Sequence, residues 1–194
     1  MKSLRDLFED MLKDVYYAEG AILKALPKMI KAVEAPELKE AFQSHLEETK
    51  GQVGRLEQVF KIIGVKAEGK KCPVILGLVE ECEGVIADAE DSEVRDAGVL
   101  ACGQAVEHYE ISRYGTLRAW AERLMLEDAV ELLHETLEEE KEADEKLSEL
   151  AYASINEEAD MQDDSDADKK PMKHAAASQT KKASKSQSGT SARK

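Results

Sequence analysis

The chain has 194 residues, of which 35% are charged and only 5% are aromatic, and its net charge is −14. It is long enough for one domain with a hydrophobic core, and its few aromatic residues argue against a large sheet. So acidic a body repels nucleic acids and anionic membranes at long range and attracts cations.

We expect a cytoplasmic protein. No apolar segment approaches the roughly 20 residues that a transmembrane helix needs. The sequence has three cysteines, Cys72, Cys82 and Cys102, with no Cys-x-x-Cys pair and no secretory signal peptide. We therefore predict reduced thiols with structural roles.

The first long helix is predicted to begin at Ser3, which can form a capping box with Asp6. Apolar residues then recur at helical spacing on one face, namely Leu4, Phe8, Met11, Val15, Ile22, Leu26, Met29 and Val33. The gap in this series falls at Ala18 and Glu19, so a carboxylate occupies the buried face. Pro27 lies in the interior, where a proline removes a hydrogen bond and can bend a helix.

The second long helix is predicted to run from Pro36 to Gly64, because proline suits a first turn and glycine a C-terminal stop. Its buried face is apolar at both ends. The middle of that face is polar and consists of His45, Thr49 and Gln52, with Glu48 one turn on from His45. Residues 65–91 are then predicted to form a loop and one or two short amphipathic helices, which could cap the bundle or line a dimer contact.

The third and fourth long helices carry acids in the same way. Ser92 is predicted to cap the third helix, which extends to about Leu124. Its buried face contains Glu107 and Glu110. The fourth helix places Glu140 and Asp144 between its apolar residues.

The two halves of the chain resemble each other, because Glu19 precedes Glu48 by nearly the same number of residues as Glu110 precedes Glu140. Two similar helix hairpins predict an all-α four-helix bundle, with residues 65–91 as the crossover between them. We assign residues 1–158 to this bundle and residues 159–194 to a disordered tail, acidic and then basic, with too little apolar content to fold.

Buried carboxylates from four helices suit a pair of iron or manganese ions, which prefer hard oxygen ligands. The predicted ligands are Glu19, Glu48, Glu110 and Glu140, with Gln52, Glu107 and Asp144 as further ligands or hydrogen-bond partners. His45 and His108 lie nearby, but a lone histidine on a buried face is typical of a hydrogen-bonded core residue. The alternative is a non-enzymatic dimeric scaffold whose acids pair with Arg and His neighbours.

The tail from Lys169 onward has eight Lys or Arg and no acid. Such an arm can make weak, sequence-independent and salt-sensitive contact with DNA phosphates. It could equally fold back onto the acidic body or serve as a solubilising extension.

Four segments carry a resemblance to a known family: YYAE (16–19), AFQSHLEETKGQ (41–52), VRDAGVLACGQAVEHYEISRYGTL (94–117) and LLHETLEEEKEADEKLSELA (132–151). They resemble the YciF-like ferritin-like family, bacterial proteins linked to stress responses. The resemblance implies a ferritin-like bundle with extra short helices, a homodimer and a di-metal centre. Our own hypothesis from such a centre is stress protection by handling iron or peroxide, with an oxidase or peroxidase-type activity if the metals are redox-active.

The sequence departs from the usual ferritin superfamily pattern at two places. Where that pattern has Glu-x-x-His on the second and fourth helices, this chain has Glu48-x-x-x-Gln52 and Glu140-x-x-x-Asp144. Imidazole ligands help to set a metal's potential, so the difference bears directly on iron oxidation.

Overall fold

The structure is a computed structural model, and it describes residues 1–167. In that range the chain forms helices and no strand. The helices are α1 (Leu4–Ala32), α2 (Pro36–Ile62), α3 (Pro73–Asp88), α4 (Ser92–Arg123), α5 (Glu127–Leu150) and α6 (Asn156–Ala167), and a π-helical turn, Ala151–Ile155, joins the last two.

Local signals set most of these boundaries. The Ser3 hydroxyl accepts a hydrogen bond from the Asp6 amide at 3.1 Å, and the Asp6 carboxylate accepts one from the Ser3 amide at 3.2 Å. This capping box was predicted and is confirmed. Gly64 follows α2 with a φ of 75°, a left-handed conformation that glycine adopts at low cost. Helix α1 continues through Pro27 without interruption.

The predicted cap of α4 was wrong by one residue. Asp91, not Ser92, accepts hydrogen bonds from the backbone amides of Glu93 and Val94, at 3.0 and 3.2 Å. The Ser92 hydroxyl instead donates to the Glu93 carboxylate at 2.6 Å. A carboxylate is the stronger acceptor at the positive end of a helix, so the aspartate takes the capping position.

The four long helices form a ring in the order α1, α2, α5 and α4, in which every neighbouring pair is antiparallel. The start of α1, the end of α2, the end of α4 and the start of α5 meet in one apolar cluster, which includes Phe8, Phe60, Leu117 and Leu133. The opposite ends meet in a second cluster, which includes Leu26, Phe42, Val99 and Leu147. This is the predicted ferritin-like four-helix bundle.

The crossover between the two hairpins contains a single helix, α3. The sequence predicted one or two short helices here, and the structure has one. Because α2 ends at one end of the bundle and α4 begins at the other, residues 63–91 must span its length. Helix α3 packs against α4 and α1, with Ile75 and Cys82 facing the core. All three cysteines are free.

The turn between α1 and α2 is held by a buried carboxylate of α4. Asp96 accepts hydrogen bonds from the backbone amides of Glu34, at 2.9 Å, and Ala35, at 2.7 Å. The adjacent Arg95 donates to the carbonyl of Ala32 at 2.9 Å. These contacts fix the first hairpin against the second at the end of the bundle where α4 begins.

Two sequence predictions concern the ends of the molecule. The predicted boundary at residue 158 falls inside α6, which is helical to Ala167 and packs against α4. The basic segment from Lys169 lies outside the described residues, so its predicted contact with DNA stays a prediction. No helix within residues 1–167 is long and apolar enough to cross a membrane.

We expect the substitution Asp96→Ala to lower the free energy of unfolding by about 2–4 kcal/mol, because two partly buried amides lose their acceptor. Asp96→Asn keeps one side-chain oxygen as an acceptor and should cost clearly less. Urea unfolding of both variants measures the difference. Equal losses in the two variants would show that the hydrogen bonds of Asp96 do not hold the turn.

Candidate metal centre

Four buried side chains from three helices meet between the two apolar clusters. They are His45 of α2, Glu107 and Glu110 of α4, and Glu140 of α5. Each offers one potential ligand atom, and these four atoms all lie within 4.8 Å of one another. Glu107 and Glu110 are three residues apart, so both point to the same side of α4.

A fifth group reaches this centre from α1. Glu19 is completely buried, and the hydroxyl of Tyr114 donates a hydrogen bond to one of its carboxylate oxygens. Glu19 also lies beside Glu110, as Glu107 lies beside Glu140. An ionised carboxylate can only accept hydrogen bonds. The two carboxylates of each pair therefore repel each other unless a proton or a cation lies between them.

Many polar atoms of the centre have no hydrogen-bond partner within the described chain. They include both ring nitrogens of His45, both carboxylate oxygens of Glu110 and of Glu140, and one oxygen each of Glu19 and Glu107. Leaving one buried polar group unsatisfied costs about 1–3 kcal/mol, and folded proteins rarely do so. The donor set is therefore suited to cations, and its four carboxylates with one imidazole match the preferences of Mn and Fe(II).

Arg55 pairs with other acids and does not neutralise those of the centre. Arg55 of α2 donates to Thr136 at 2.9 Å and to Glu135 at 2.7 Å, and it also pairs with Glu139. Gln52 donates its amide to the same Glu139 carboxylate at 3.1 Å. Arg55 is thus committed to acids at the edge of the centre.

Burial changes the acid–base behaviour of the whole centre. It raises the pKa of Glu19 from its ordinary 4.5 to about 7. Burial, followed by the charges of neighbouring carboxylates, raises the pKa of Glu110 and of Glu140 well above the ordinary value. Burial also raises the pKa of Glu107, against the opposing effect of His45. A centre without cations therefore retains protons that a bound cation would displace.

His45 experiences two opposing effects. Burial lowers its pKa, but the nearby carboxylates of Glu107 and Glu48 outweigh this and raise the pKa overall. Its Nε2 lies 3.4 Å from a Glu107 oxygen, and its Nδ1 lies 3.7 Å from a Glu48 oxygen. The histidine is therefore placed between two acids without a hydrogen bond to either.

The remaining predicted ligands lie around the centre. Glu48 is partly exposed and accepts a hydrogen bond from Ser44 at 3.1 Å. Asp144 pairs with His108 at 3.1 Å, although its second oxygen is buried without a partner. Gln52 is fully buried and also has an unpartnered carbonyl oxygen. The structure thus brings Glu19, Glu107, Glu110 and Glu140 together and leaves these three residues at the edge.

His45 was not among the metal ligands predicted from the sequence. A histidine in a buried polar stretch was interpreted as a hydrogen-bonded core residue, but neither of its ring nitrogens has such a partner here. The available signal was the spacing of His45 and Glu48, which puts an imidazole and a carboxylate on one face of α2. His45-x-x-Glu48 thus has the same two residues at the same spacing as the Glu-x-x-His motif, in reverse order.

The bundle and its buried carboxylate and histidine cluster define a ferritin-like protein with a candidate metal centre. The family described as domain of unknown function DUF892 matches residues 3–160. The chain therefore belongs to this family.

Individual relatives agree with this assignment. Protein YciF of Escherichia coli (strain K12) is 45% identical over 161 residues, which are 82% of this chain and 97% of that protein. The crystal structure of the E. coli stress protein YciF has a TM-score of 0.77 at 46% identity and covers 80% of this chain and 99% of its own. YcfI from Rhodopseudomonas palustris has a TM-score of 0.75 at 49% identity, and the match covers 76% of this chain and 94% of YcfI. The predicted YciF-like family is confirmed.

We expect the metal-free protein to lose stability as the pH rises from 4.5 to about 7. The pKa of Glu19 is raised in the folded state, so its contribution is full below the unfolded pKa and disappears above the folded one. This shift alone corresponds to about 3 kcal/mol. Urea unfolding at several pH values, with a chelator present, measures the loss.

Glu19→Gln should flatten this pH dependence, whereas Glu145→Gln, an exposed position on α5, should leave it unchanged. Stability that rises with pH across this range would contradict a centre whose carboxyl groups are protonated on folding.

Proposed function

We propose that this centre binds two divalent metal ions, iron or manganese, and that the protein serves in stress protection by handling iron or peroxide. The observation that carries the proposal is the set of unpartnered carboxylate and imidazole atoms directed at one another inside the bundle. The description of the related E. coli YciF as a stress protein supports the physiological part.

The chain's own residues have distinct roles in this proposal. Glu110 and Glu140, with Glu107, His45 and Glu19, hold the cations. The edge residues Glu48, Gln52 and Asp144 act as further ligands or as hydrogen-bond partners.

Three features prepare these groups for binding. The Tyr114 hydroxyl fixes one oxygen of Glu19 and leaves the other free for a ligand role. The two apolar clusters close the centre toward the two ends of the bundle. Protons held on the buried carboxyl groups leave when a cation binds, so uptake should be pH-dependent.

Iron or manganese bound here would supply Lewis-acid chemistry and redox chemistry toward oxygen or peroxide. The imidazole of His45 provides the one neutral nitrogen ligand within the cluster. An oxidase or peroxidase-type reaction and the homodimer implied by the resemblance are parts of the same proposal.

The competing scaffold hypothesis needs the acids to be paired with basic neighbours. In the described chain, Arg55 is bonded to Glu135, Glu139 and Thr136. The basic side chain within the cluster is His45, and one imidazole cannot compensate four carboxylates. The geometry therefore favours metal binding over a purely structural role.

Loading the folded protein with Fe²⁺ without oxygen, or with Mn²⁺, should give about two ions per chain by elemental analysis after free metal is removed. Glu110→Gln and Glu140→Gln should each abolish tight binding. The metal-free variants should be as stable as the wild type or more so, because a carboxyl group whose ionisation is unfavourable in the buried centre is replaced by a neutral amide.

The matched control is Glu138→Gln, which neutralises a partly exposed carboxylate on the same helix as Glu140. A folded wild type that binds no metal, or metal-free variants destabilised by several kcal/mol, would instead support structural ion pairs.

His45→Ala should weaken metal binding by about tenfold or more, since a ligand with both nitrogens free is removed. Titration with Mn²⁺ measures the affinity, and His134→Ala, an exposed position on α5, serves as the control. Were His45 a counter-charge for Glu107, the metal-free variant would lose about 3–5 kcal/mol of stability. Unchanged affinity would remove His45 from the ligands.

A further inference from the structure

A groove between α2 and α5 leads from the surface to the candidate metal centre. Its volume is about 380 Å³, and its walls include Phe42, Leu147 and Leu150. A water molecule occupies about 30 Å³ in the liquid, so the groove has room for an ion with its hydration shell.

The two ends of the groove differ in burial. Glu37 and Glu40 of α2 and Glu142 of α5 line it and are exposed to solvent. His45 and Glu107 also line it, yet they are only 5% and 3% exposed. The exposed acids form the mouth of the groove, and the buried pair forms its inner end.

The inner end has unsatisfied ligand atoms. Both nitrogens of His45 and one oxygen of Glu107 have no hydrogen-bond partner within the described chain. The acidic mouth is thus continuous with buried groups that a cation would satisfy. This second observation distinguishes the groove from an ordinary acidic surface.

A second cavity ends on the same two residues from another side. It is far smaller, about 20 Å³, and its walls are mainly apolar, with Ile22, Met29 and Val106 among them. A cation would lose most of its hydration there without new ligands. The acidic groove is the better route for an ion.

We propose that the groove between α2 and α5 is the entry route by which hydrated divalent cations reach the centre. Glu37, Glu40 and Glu142 attract the cation, and Lys146, which also lines the groove, opposes it. A cleft lined by one sign of charge raises the local concentration of counter-ions and their association rate. The inference rests on the proposed metal-binding function.

The test changes the mouth without touching the centre. The mouth variant combines Glu37→Gln, Glu40→Gln and Glu142→Gln. Two other acids of the groove stay unchanged, since Glu139 pairs with Arg55 and Glu48 lies beside His45.

The control variant combines Glu127→Gln, Glu131→Gln and Glu145→Gln, three exposed positions of α5 that do not line the groove. It has the same net charge as the mouth variant. Both variants also lose one acid from the first turn of a helix, Glu37 in α2 and Glu127 in α5.

The rate of Mn²⁺ uptake is measured in rapidly mixed, frozen samples from the loss of the electron paramagnetic resonance signal of free Mn²⁺. At low ionic strength, the mouth variant should take up Mn²⁺ roughly five to twenty times more slowly, and the control variant within about twofold of wild type. The difference should shrink at about 0.5 M salt, where the Debye length is only a few ångström. Lys146→Gln should accelerate uptake by about twofold.

The number of ions bound at equilibrium should be the same in all these variants. Equal uptake rates in the mouth and control variants, with two ions bound, would overturn the entry route and leave the metal centre standing. A wild type that binds no Mn²⁺ would overturn both proposals.

Discussion

The structure depends on one electrostatic constraint, which is that four carboxyl groups lie in the middle of a bundle without a matching number of positive charges. Glu110 and Glu140 have no hydrogen-bond partner in the described chain, and the Arg55 guanidinium is committed to other acids. Burying ionised groups in this way is costly, so the centre must hold either protons or cations. Its acid–base behaviour and its capacity for metals have this same physical origin.

The bundle tolerates this centre because stability comes from its two ends. Apolar clusters that include Phe8 and Phe60 at one end, and Phe42 and Leu147 at the other, lie on either side of the polar layer. The hydrophobic contribution of these clusters offsets the cost of burying the acids. Asp96 adds a specific link by fixing the first hairpin turn against α4.

The fold follows from the sequence because helical periodicity marks the buried faces clearly. An acid that interrupts a row of apolar residues, such as Glu19 or Glu110, is predicted to be buried. The structure buries both and places them side by side. Their role as ligands stays a prediction.

Periodicity is less able to choose between residues one turn apart. On α2 it placed His45 on the buried face with Glu48 one turn on, and we predicted the carboxylate of Glu48 as the ligand. The structure buries the histidine and leaves Glu48 partly exposed. A rotation of a helix by a few tens of degrees decides such cases, and only packing against the other helices fixes that rotation.

Local capping was ambiguous for a similar reason. Asp91 and Ser92 are adjacent and both are good caps, so the competition between two acceptors decides the start of α4. The number of helices in the crossover was likewise left open, because the distance that it must span depends on the whole bundle.

We propose above all that the buried carboxylates and His45 are metal ligands. Anomalous diffraction from crystals soaked in Fe²⁺ or Mn²⁺, recorded above and below the absorption edge of the metal, tests it most directly. We expect two anomalous peaks among Glu19, His45, Glu107, Glu110 and Glu140. An ordered centre without such peaks, in which the carboxyl groups bond to one another or to water, would contradict it.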